Sequence, residues 1–169
     1  MFRGNLYFCQ LMELNLPKLN FPAYSARFKR LDAKNFILDP IRQKYVPLTP
    51  EEWVRQHLIS YFFTYKGVPK GLMSVEVSFS VNGVNHRADV VVFNRNGEPL
   101  LVVECKAPDV EVGTKTVEQA ARYNSFFKSP FLAVTNGLIH YAFAIDWSKK
   151  EFRQLEQIPD YNQMINGIE

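Results

Sequence analysis

The sequence predicts an α/β fold in which two helices pack on one mixed β-sheet. Three observations carry this prediction. A helix-start signal near position 50 opens a stretch of apolar residues at helical spacing. Three runs rich in β-branched residues follow, separated by short turn sequences. A second helical stretch then leads to further strand-like runs, which gives the order α-β-β-β-α-β with additional strands at the end.

The first helix is predicted at about residues 50–65. Thr49 is a favourable N-cap, Pro50 suits the first helical position, and Glu52 completes a Thr-x-x-Glu capping box. Apolar residues then recur at helical spacing, and Gly67 marks the end of the helix.

The rest of the chain is predicted to alternate between strands and one long helix. Asn82-Gly83 is a hairpin signal, and Asn94–Gly97 is a second turn sequence. The predicted strands lie at 72–81, 87–93, 99–106, 131–135, 139–145 and near 152–155, and the second helix lies at 114–127.

The length of the chain is that of one domain with a flanking segment at each end. Residues 1–45 are predicted to form a basic arm with a short β-hairpin that turns near Asp32–Asn35, residues 46–160 the α/β domain, and residues 161–169 a C-terminal tail. The arm carries eight Lys and Arg residues against three Asp and Glu. This excess suits contacts with phosphate, and a solvated surface segment is the alternative interpretation.

The candidate site lies where charged residues end a buried strand. Four apolar residues, 100–103, lead directly into Glu104-Cys105-Lys106. Because side chains alternate along a strand, Glu104 and Lys106 share one face. Asp89 begins the preceding strand-like run, so pairing across the 94–97 turn would place it beside Glu104. Charged groups at the end of a buried strand are costly without partners, and an ion-pair cluster with no further role is the alternative to a catalytic site.

The chemistry that suits this set of residues is metal-assisted hydrolysis of a phosphodiester. Two close carboxylates repel each other unless a cation lies between them. Oxygen ligands on an open site suit Mg²⁺, and we expect Mn²⁺ to substitute for it. Such a cation lowers the pKa of a bound water and stabilises charge on a phosphoryl oxygen. Lys106 would orient the attacking water or the scissile phosphate.

The sequence resembles a known family at these residues. Asp89 followed by Glu104-Cys105-Lys106 resembles the PD-(D/E)xK nuclease signature, and the chain resembles more closely the N-terminal nuclease domain of type I restriction enzyme R subunits. The similarity extends over roughly residues 45–145. The matching elements are Thr49-Pro50-Glu51-Glu52-Trp53-Val54-Arg55-Gln56, Arg87-Ala88-Asp89, Val103-Glu104-Cys105-Lys106-Ala107-Pro108, Gln119-Ala120-Ala121-Arg122-Tyr123-Asn124 and Thr135-Asn136-Gly137.

This resemblance implies a restriction-endonuclease-like core for the 46–160 domain, with a mixed sheet flanked by helices. It implies that Asp89 and Glu104 bind the metal, helped by the backbone carbonyl of Cys105, and that Lys106 assists catalysis. Ala88 stands where the signature has proline.

Five further residues are candidates around this triad. The resemblance implies that Gln119 and Tyr123, one helical turn apart, position DNA or the catalytic groups, and ordinary helix-surface residues are the alternative. Arg87 is a candidate for contact with phosphate, or an exposed residue near a turn. Glu52 is a capping residue or a metal ligand. Glu76 is either solvated or aimed at the site.

The sequence therefore predicts a Mg²⁺-dependent deoxyribonuclease related to restriction–modification systems. The alternative is a catalytically silent module of the same fold that binds nucleic acid or docks a partner. The chain lacks a Gly-x-x-x-x-Gly-Lys-[Ser/Thr] loop, so we expect a nuclease module without a helicase.

The expected partners follow from this function. DNA is expected, and a second copy of the chain or restriction–modification subunits remain open. No stretch is long and apolar enough to span a bilayer, and the N-terminus lacks the pattern of a signal peptide. We therefore expect a cytoplasmic location without membrane contact.

Overall fold

The computed structural model describes residues 16–81 and 83–167. The start of the predicted arm, Asn82 of the predicted hairpin turn and the last two residues of the predicted tail lie outside the described residues. The elements are β1 (Phe28–Leu31), β2 (Lys34–Asp39), β3 (Lys44–Pro47), α1 (Pro50–Tyr65), a 3-10 turn (Lys70–Leu72), β4 (Met73–Val81), β5 (Val84–Phe93), β6 (Pro99–Cys105), α2 (Thr114–Phe127), β7 (Phe131–Thr135), β8 (His140–Asp146), β9 (Glu151–Leu155) and α3 (Tyr161–Asn166).

The main sheet has six strands in the order β4-β5-β6-β7-β8-β9. Strands β6 and β7 are parallel, and every other neighbouring pair is antiparallel. A parallel pair needs a crossover connection, and α2 supplies it between β6 and β7. The predicted mixed sheet and the predicted core order α-β-β-β-α-β are confirmed.

Helices α1 and α2 belong to two separate hydrophobic layers. Leu58 and Phe62 of α1 belong to the same buried cluster as Val90, whereas Ala120 of α2 belongs to the cluster of Val91. Val90 and Val91 are both fully buried, and as neighbours on one strand they point to opposite faces of the sheet. Burial of each such side chain contributes roughly 1.5–3 kcal/mol to folding.

Helix α1 begins at the predicted residue, but most of it is buried and only the Thr49 half of the predicted capping box forms, because the side chain of Glu52 contacts Arg42, Arg55 and Gln56. The hydroxyl of Thr49 accepts a hydrogen bond from the N–H of Glu52, at 3.0 Å. The helix also buries polar and charged side chains, which need hydrogen-bond partners once they leave water. These buried polar residues are Glu52, Arg55, Gln56, His57 and Ser60. The partners of Glu52 and Arg55 define the candidate site below.

The regular alternation of side chains between the two faces of the sheet is broken in strand β4 at Glu76. Val75 packs with the α1 layer and Val77 with the α2 layer, although regular alternation would place both on one face. Glu76 has a left-handed φ of 55°, and such a residue inside a strand redirects the side chains around it. The partner strand changes at the same place, since Ala88 belongs to the α2 layer and Val90 to the α1 layer.

The N-terminal region packs into the main core. Strands β1, β2 and β3 form a separate antiparallel sheet, and the chain turns between β1 and β2 at Asp32 and Ala33. The sequence analysis did not predict β3. Ile37 of β2 and Val46 of β3 belong to the same buried cluster as α1, so the described part of the predicted arm is a packed part of the domain.

Two predicted boundaries are wrong. Strand β5 begins at Val84, three residues before the predicted start, because its polar first half pairs with β4 and so extends the hairpin. Residues 161–166 form a short helix where a tail was predicted. Asp160 and Gln163 make a reciprocal capping box at its start, and Tyr161 and Met164 are buried in the α1 layer. No helix among the described residues is long and apolar enough to cross a membrane.

Candidate active site

Strands β5 and β6 bring the three predicted catalytic residues together. Val90 pairs with Val103 on these antiparallel strands. Asp89, one residue before Val90, therefore lies near Glu104, one residue after Val103. The backbone N–H of Cys105 donates a hydrogen bond to Asp89 Oδ2 at 2.7 Å. The ammonium of Lys106 lies 2.7 Å from Glu104 Oε1. Glu104 and Lys106 thus share one face, as their spacing predicts, although Asp89 lies inside β5 and not at its start.

A buried arginine completes the surroundings of Asp89. Asp89 Oδ1 accepts a hydrogen bond from Arg55 Nη2 at 2.6 Å. Both oxygens of this carboxylate are therefore held, one by α1 and one by the backbone of β6. The side chain of Arg55 is 4% exposed. Burial lowers the pKa of Arg55, but the charges of Asp89 and the neighbouring carboxylates more than offset it, so the pKa is raised.

The two nitrogens at the end of Arg55 face different acidic groups. Nη2 contacts Asp89 and, at 3.1 Å, Glu51. Nη1 contacts Glu52 and, at 3.2 Å, Glu76. The planar guanidinium suits this arrangement because its donors diverge in a fixed geometry.

The structure favours Glu51 over Glu52, which the sequence analysis names as a candidate metal ligand. The carboxylate of Glu52 accepts hydrogen bonds from Arg42, Arg55 and Gln56, so two cations already neutralise its charge. Glu51 lies beside Asp89 and its side chain is 44% exposed. Partial burial and the charge of Asp89 raise the pKa of Glu51. Glu51 is therefore the helix carboxylate better placed to add a ligand to the site, in place of Glu52.

The pKa of Glu104 gives the clearest indication that a further negative charge is unfavourable in this site. Burial and the charge of Asp89 raise the pKa of Glu104 to about 7, although Lys106 works in the opposite direction. Burial lowers the pKa of Lys106, but its hydrogen bond to Glu104 and the surrounding carboxylates give a net upward shift in that pKa. Lys106 is thus a charged hydrogen-bond donor at neutral pH. The nearby cations do not fully neutralise the carboxylates beside it.

The donor set fits a hard divalent cation. Within residues 16–81 and 83–167, no three His, Cys, Asp or Glu side chains converge as a ready-made metal cage. Mg²⁺ does not require one, since it is commonly held by one or two carboxylates together with waters and substrate phosphate. Asp89 and Glu104 supply two carboxylates, Glu51 lies near them, and their mutual repulsion is what a cation would relieve. The thiol of Cys105 is fully buried, so only its backbone carbonyl remains a candidate ligand.

The other predicted site residues lie on the β4–β5 hairpin and on α2. Arg87 is 61% exposed and pairs with Glu76 at 2.9 Å, so it forms the outer end of the charged network. Gln119 donates a hydrogen bond to the hydroxyl of Tyr123 at 3.1 Å. The ring of Tyr123 also contacts Phe79 and His86 of the hairpin. Tyr123 thus packs against the hairpin, and Gln119 is bonded to Tyr123. The residues described above in direct contact with Asp89 and Glu104 are Arg55, Cys105 and Lys106.

An apolar groove of about 760 Å³ lies elsewhere, between α2 and strands β7 to β9. Val117, Leu132, Phe143 and Phe152 are among its lining residues. It contains none of the charged residues of the candidate site. The groove and the cluster of charged residues are therefore two separate candidates for a functional site. The chemistry decides, because a phosphodiester needs charged and polar groups.

A comparison with protein families matches residues 50–159, more than half of the chain, to the family described as type I restriction enzyme R protein N terminus. The chain belongs to this family. The match includes α1, the strands of the main sheet and α2, and therefore Asp89, Glu104, Lys106 and Arg55. No curated protein sequence matches the chain.

A solved structure shares the fold of this R protein N-terminal domain. It is a fragment of an HsdR subunit of a type I restriction enzyme from Vibrio vulnificus YJ016, with 21% sequence identity and a TM-score of 0.52. The similarity covers 70% of this chain but 25% of that chain. The domain therefore spans about a quarter of the relative that it matches.

Arg55 is the part of the site that sequence reasoning missed. Arg55 stands inside one of the matching elements, yet it lies 34 positions from its partner Asp89. A signal was present, because Glu51 and Glu52 stand four and three positions before Arg55, a spacing typical of ion pairs on a helix. The burial that gives this pair its importance is not visible in the spacing.

Proposed function

We propose that this chain is a metal-dependent DNA endonuclease module that hydrolyses phosphodiester bonds. The observation that carries the proposal is the convergence of Asp89, Glu104 and Lys106, at a place where burial and the charge of Asp89 raise the pKa of Glu104 to about 7. Membership of the restriction R protein family supports DNA as the substrate. Hydrolysis adds one water across a P–O bond and leaves a phosphate on one product and a hydroxyl on the other.

Each residue has a distinct task in this proposal. Asp89 and Glu104 would hold Mg²⁺ or Mn²⁺, with the Cys105 carbonyl and Glu51 as further candidate ligands. The cation supplies charge stabilisation at the phosphoryl group and a bound water of lowered pKa. Lys106, protonated and next to Glu104, donates to a non-bridging phosphate oxygen or orients the attacking water. Exposed Arg87 and the Gln119–Tyr123 pair contact the DNA to either side.

The test is cleavage of supercoiled, linear and single-stranded DNA with Mg²⁺, Mn²⁺ or a chelator. Lys106→Ala is expected to lower the rate roughly 100-fold or more, because it removes a charge that acts on the transition state. Asp89→Asn should do the same. We prefer it to alanine because asparagine keeps the size of the side chain and one accepting oxygen, whereas alanine removes both acceptors from Arg55 and the Cys105 N–H.

The matched control is Lys149→Ala, which removes an exposed lysine paired with Asp146 on the β8–β9 turn. It should cut DNA like the wild type. Equal cleavage by the wild type and by folded Lys106→Ala and Asp89→Asn variants would contradict the proposal.

One observation favours a second function, that of a silent module which binds nucleic acid or docks a partner. Both oxygens of Asp89 and one oxygen of Glu104 already have partners within the protein. A melting experiment with increasing Mn²⁺ separates the two functions, because a ligand stabilises the folded state only if it binds there. A rise in Tm that Asp89→Asn reduces supports the nuclease, and an unchanged Tm supports the silent module.

A further inference from the structure

Arg55 is the group in the site whose role the proposed function leaves open. Its guanidinium is almost fully buried, and four carboxylates surround it. Burial of a charge needs strong compensation, and the hydrogen bonds to Asp89, Glu51 and Glu52 provide it. A cation therefore already occupies one side of the carboxylate that would bind the metal.

The geometry of this contact separates two effects of Arg55 on Asp89. Arg55 fixes Oδ1 of Asp89 while the Cys105 N–H fixes Oδ2, so the carboxylate cannot rotate. The same contact places a positive charge 2.6 Å from Oδ1, which opposes a second cation nearby. The first effect aids the geometry of a bound metal, and the second lowers its affinity.

We infer that Arg55 is a positioning residue that holds Asp89 for metal binding and, by its charge, keeps the site's affinity for divalent cations low. The inference rests on the proposed function, since it concerns the same site. Arg55 does not touch the reacting atoms. It acts through Asp89, so its loss should affect affinity and turnover in opposite directions.

Arg42 provides a matched comparison within the same network. It contacts Asp39, Glu52 and Glu76, all through its guanidinium, whereas the direct cationic contact to Asp89 comes from Arg55. Arg42→Gln thus removes one positive charge from the same group of acids without removing the contact that holds Asp89. A general effect of network charge would appear in both variants, and the effect we infer would appear in Arg55 variants alone.

The experiment measures Mn²⁺ affinity and cleavage separately in the full chain. Free Mn²⁺ is followed by its electron paramagnetic resonance signal, which gives a dissociation constant that does not depend on turnover. Arg55→Gln should bind Mn²⁺ roughly tenfold more tightly, by analogy with the shifts that one nearby charge causes in carboxylate affinity for protons. At saturating Mn²⁺ it should cleave DNA at least tenfold more slowly than the wild type, whereas Arg42→Gln should stay within about threefold of the wild type in both measurements.

Arg55→Lys keeps the test decisive if Arg55→Gln does not fold. Lysine retains the charge but not the two-sided fork, so Mn²⁺ affinity should remain near that of the wild type while cleavage at saturating metal falls. Wild-type cleavage by Arg55→Lys, or equal changes in the Arg55→Gln and Arg42→Gln variants, would overturn the inference. If the wild type binds and cuts while the Arg55 variants match it, the inference alone fails. If the wild type neither binds Mn²⁺ nor cuts DNA, the proposed function fails and the inference falls with it.

Discussion

His57 links the stability of the fold to pH through one buried imidazole. The ring lies against Trp53 and Tyr24, and its Nδ1 donates to the carbonyl of Trp53 at 3.0 Å. Burial lowers the pKa of His57 to about 4 from an ordinary value of 6.5. The folded protein therefore keeps the imidazole of His57 neutral down to about pH 4.

The first prediction follows from the sign of this shift. Between pH 6.5 and 4 the unfolded chain binds a proton at His57 and the folded chain does not, so stability falls as pH falls through this window. The total loss from this group is about 3 kcal/mol. Urea unfolding at pH 4.5, 5.5 and 6.5 should show a shallower pH dependence for His57→Gln, by up to about 1 kcal/mol per pH unit. An equal slope in variant and wild type would mean that other groups cause the acid sensitivity.

Some residues of the candidate site could be predicted from the sequence, and others could not. Glu104 and Lys106 could be predicted because alternation on a strand is local, and Asp89 because one short turn joins its strand to theirs. Glu51 and Arg55 could not be given their roles, because their importance comes from burial of α1 against β5. Gln119 and Tyr123 remain predictions as DNA contacts, since the structure shows their contacts with the hairpin and with each other.

At the scale of the element, α1 and α2 have the bounds that the sequence predicts, since caps and helical periodicity are local signals. The exchange of faces at Glu76 was not predicted. Alternation of Val75, Val77 and Phe79 suggests one regular strand, and only packing against two different helices requires the break. Helix α3 was missed for a simpler reason, because its six residues give too short a pattern to recognise.

The second prediction concerns the cap of α1. Thr49→Ala removes the acceptor for the N–H of Glu52 and should lower the free energy of unfolding by about 1 kcal/mol. The matched control is Thr64→Ala, an exposed threonine near the end of the same helix, which should change stability by less than about 0.5 kcal/mol. Chemical denaturation of both variants gives the comparison. Equal losses would show that the Thr49 hydroxyl does not act as the cap.

At the scale of the whole molecule, the segment before β1 closes the end of the main sheet. The N–H of Asn20 donates to the carbonyl of Gly137 at 2.7 Å, just beyond β7. Leu19 packs so closely on Gly137 that a Cβ at this glycine would lie 2.8 Å from the leucine side chain. Gly137 also has a left-handed φ of 83°. The sequence could not predict this contact, because 118 positions separate Asn20 from its second partner, Leu138.

The third prediction tests this closure. Gly137→Ala should destabilise the protein by about 2 kcal/mol, because it combines an unfavourable φ with a clash against Leu19. Gly71→Ala is the matched control, since nothing lies within 4 Å of the Cβ that it would add. Thermal melts should show a clear loss of Tm for the first variant and little change for the second. A stable Gly137→Ala variant would mean that the N-terminal segment can move away without cost.

The network around Arg55 runs from a buried interior to an exposed end, and this gradient determines how it responds to ionic strength. Counter-ions screen charges in contact with solvent over about 8 Å at physiological salt, but they screen buried pairs far less. The pair between Arg55 and Asp89 therefore persists in salt, while the pair between Glu76 and exposed Arg87 weakens first. Added salt thus loosens the outer arginine and leaves the inner carboxylate in place.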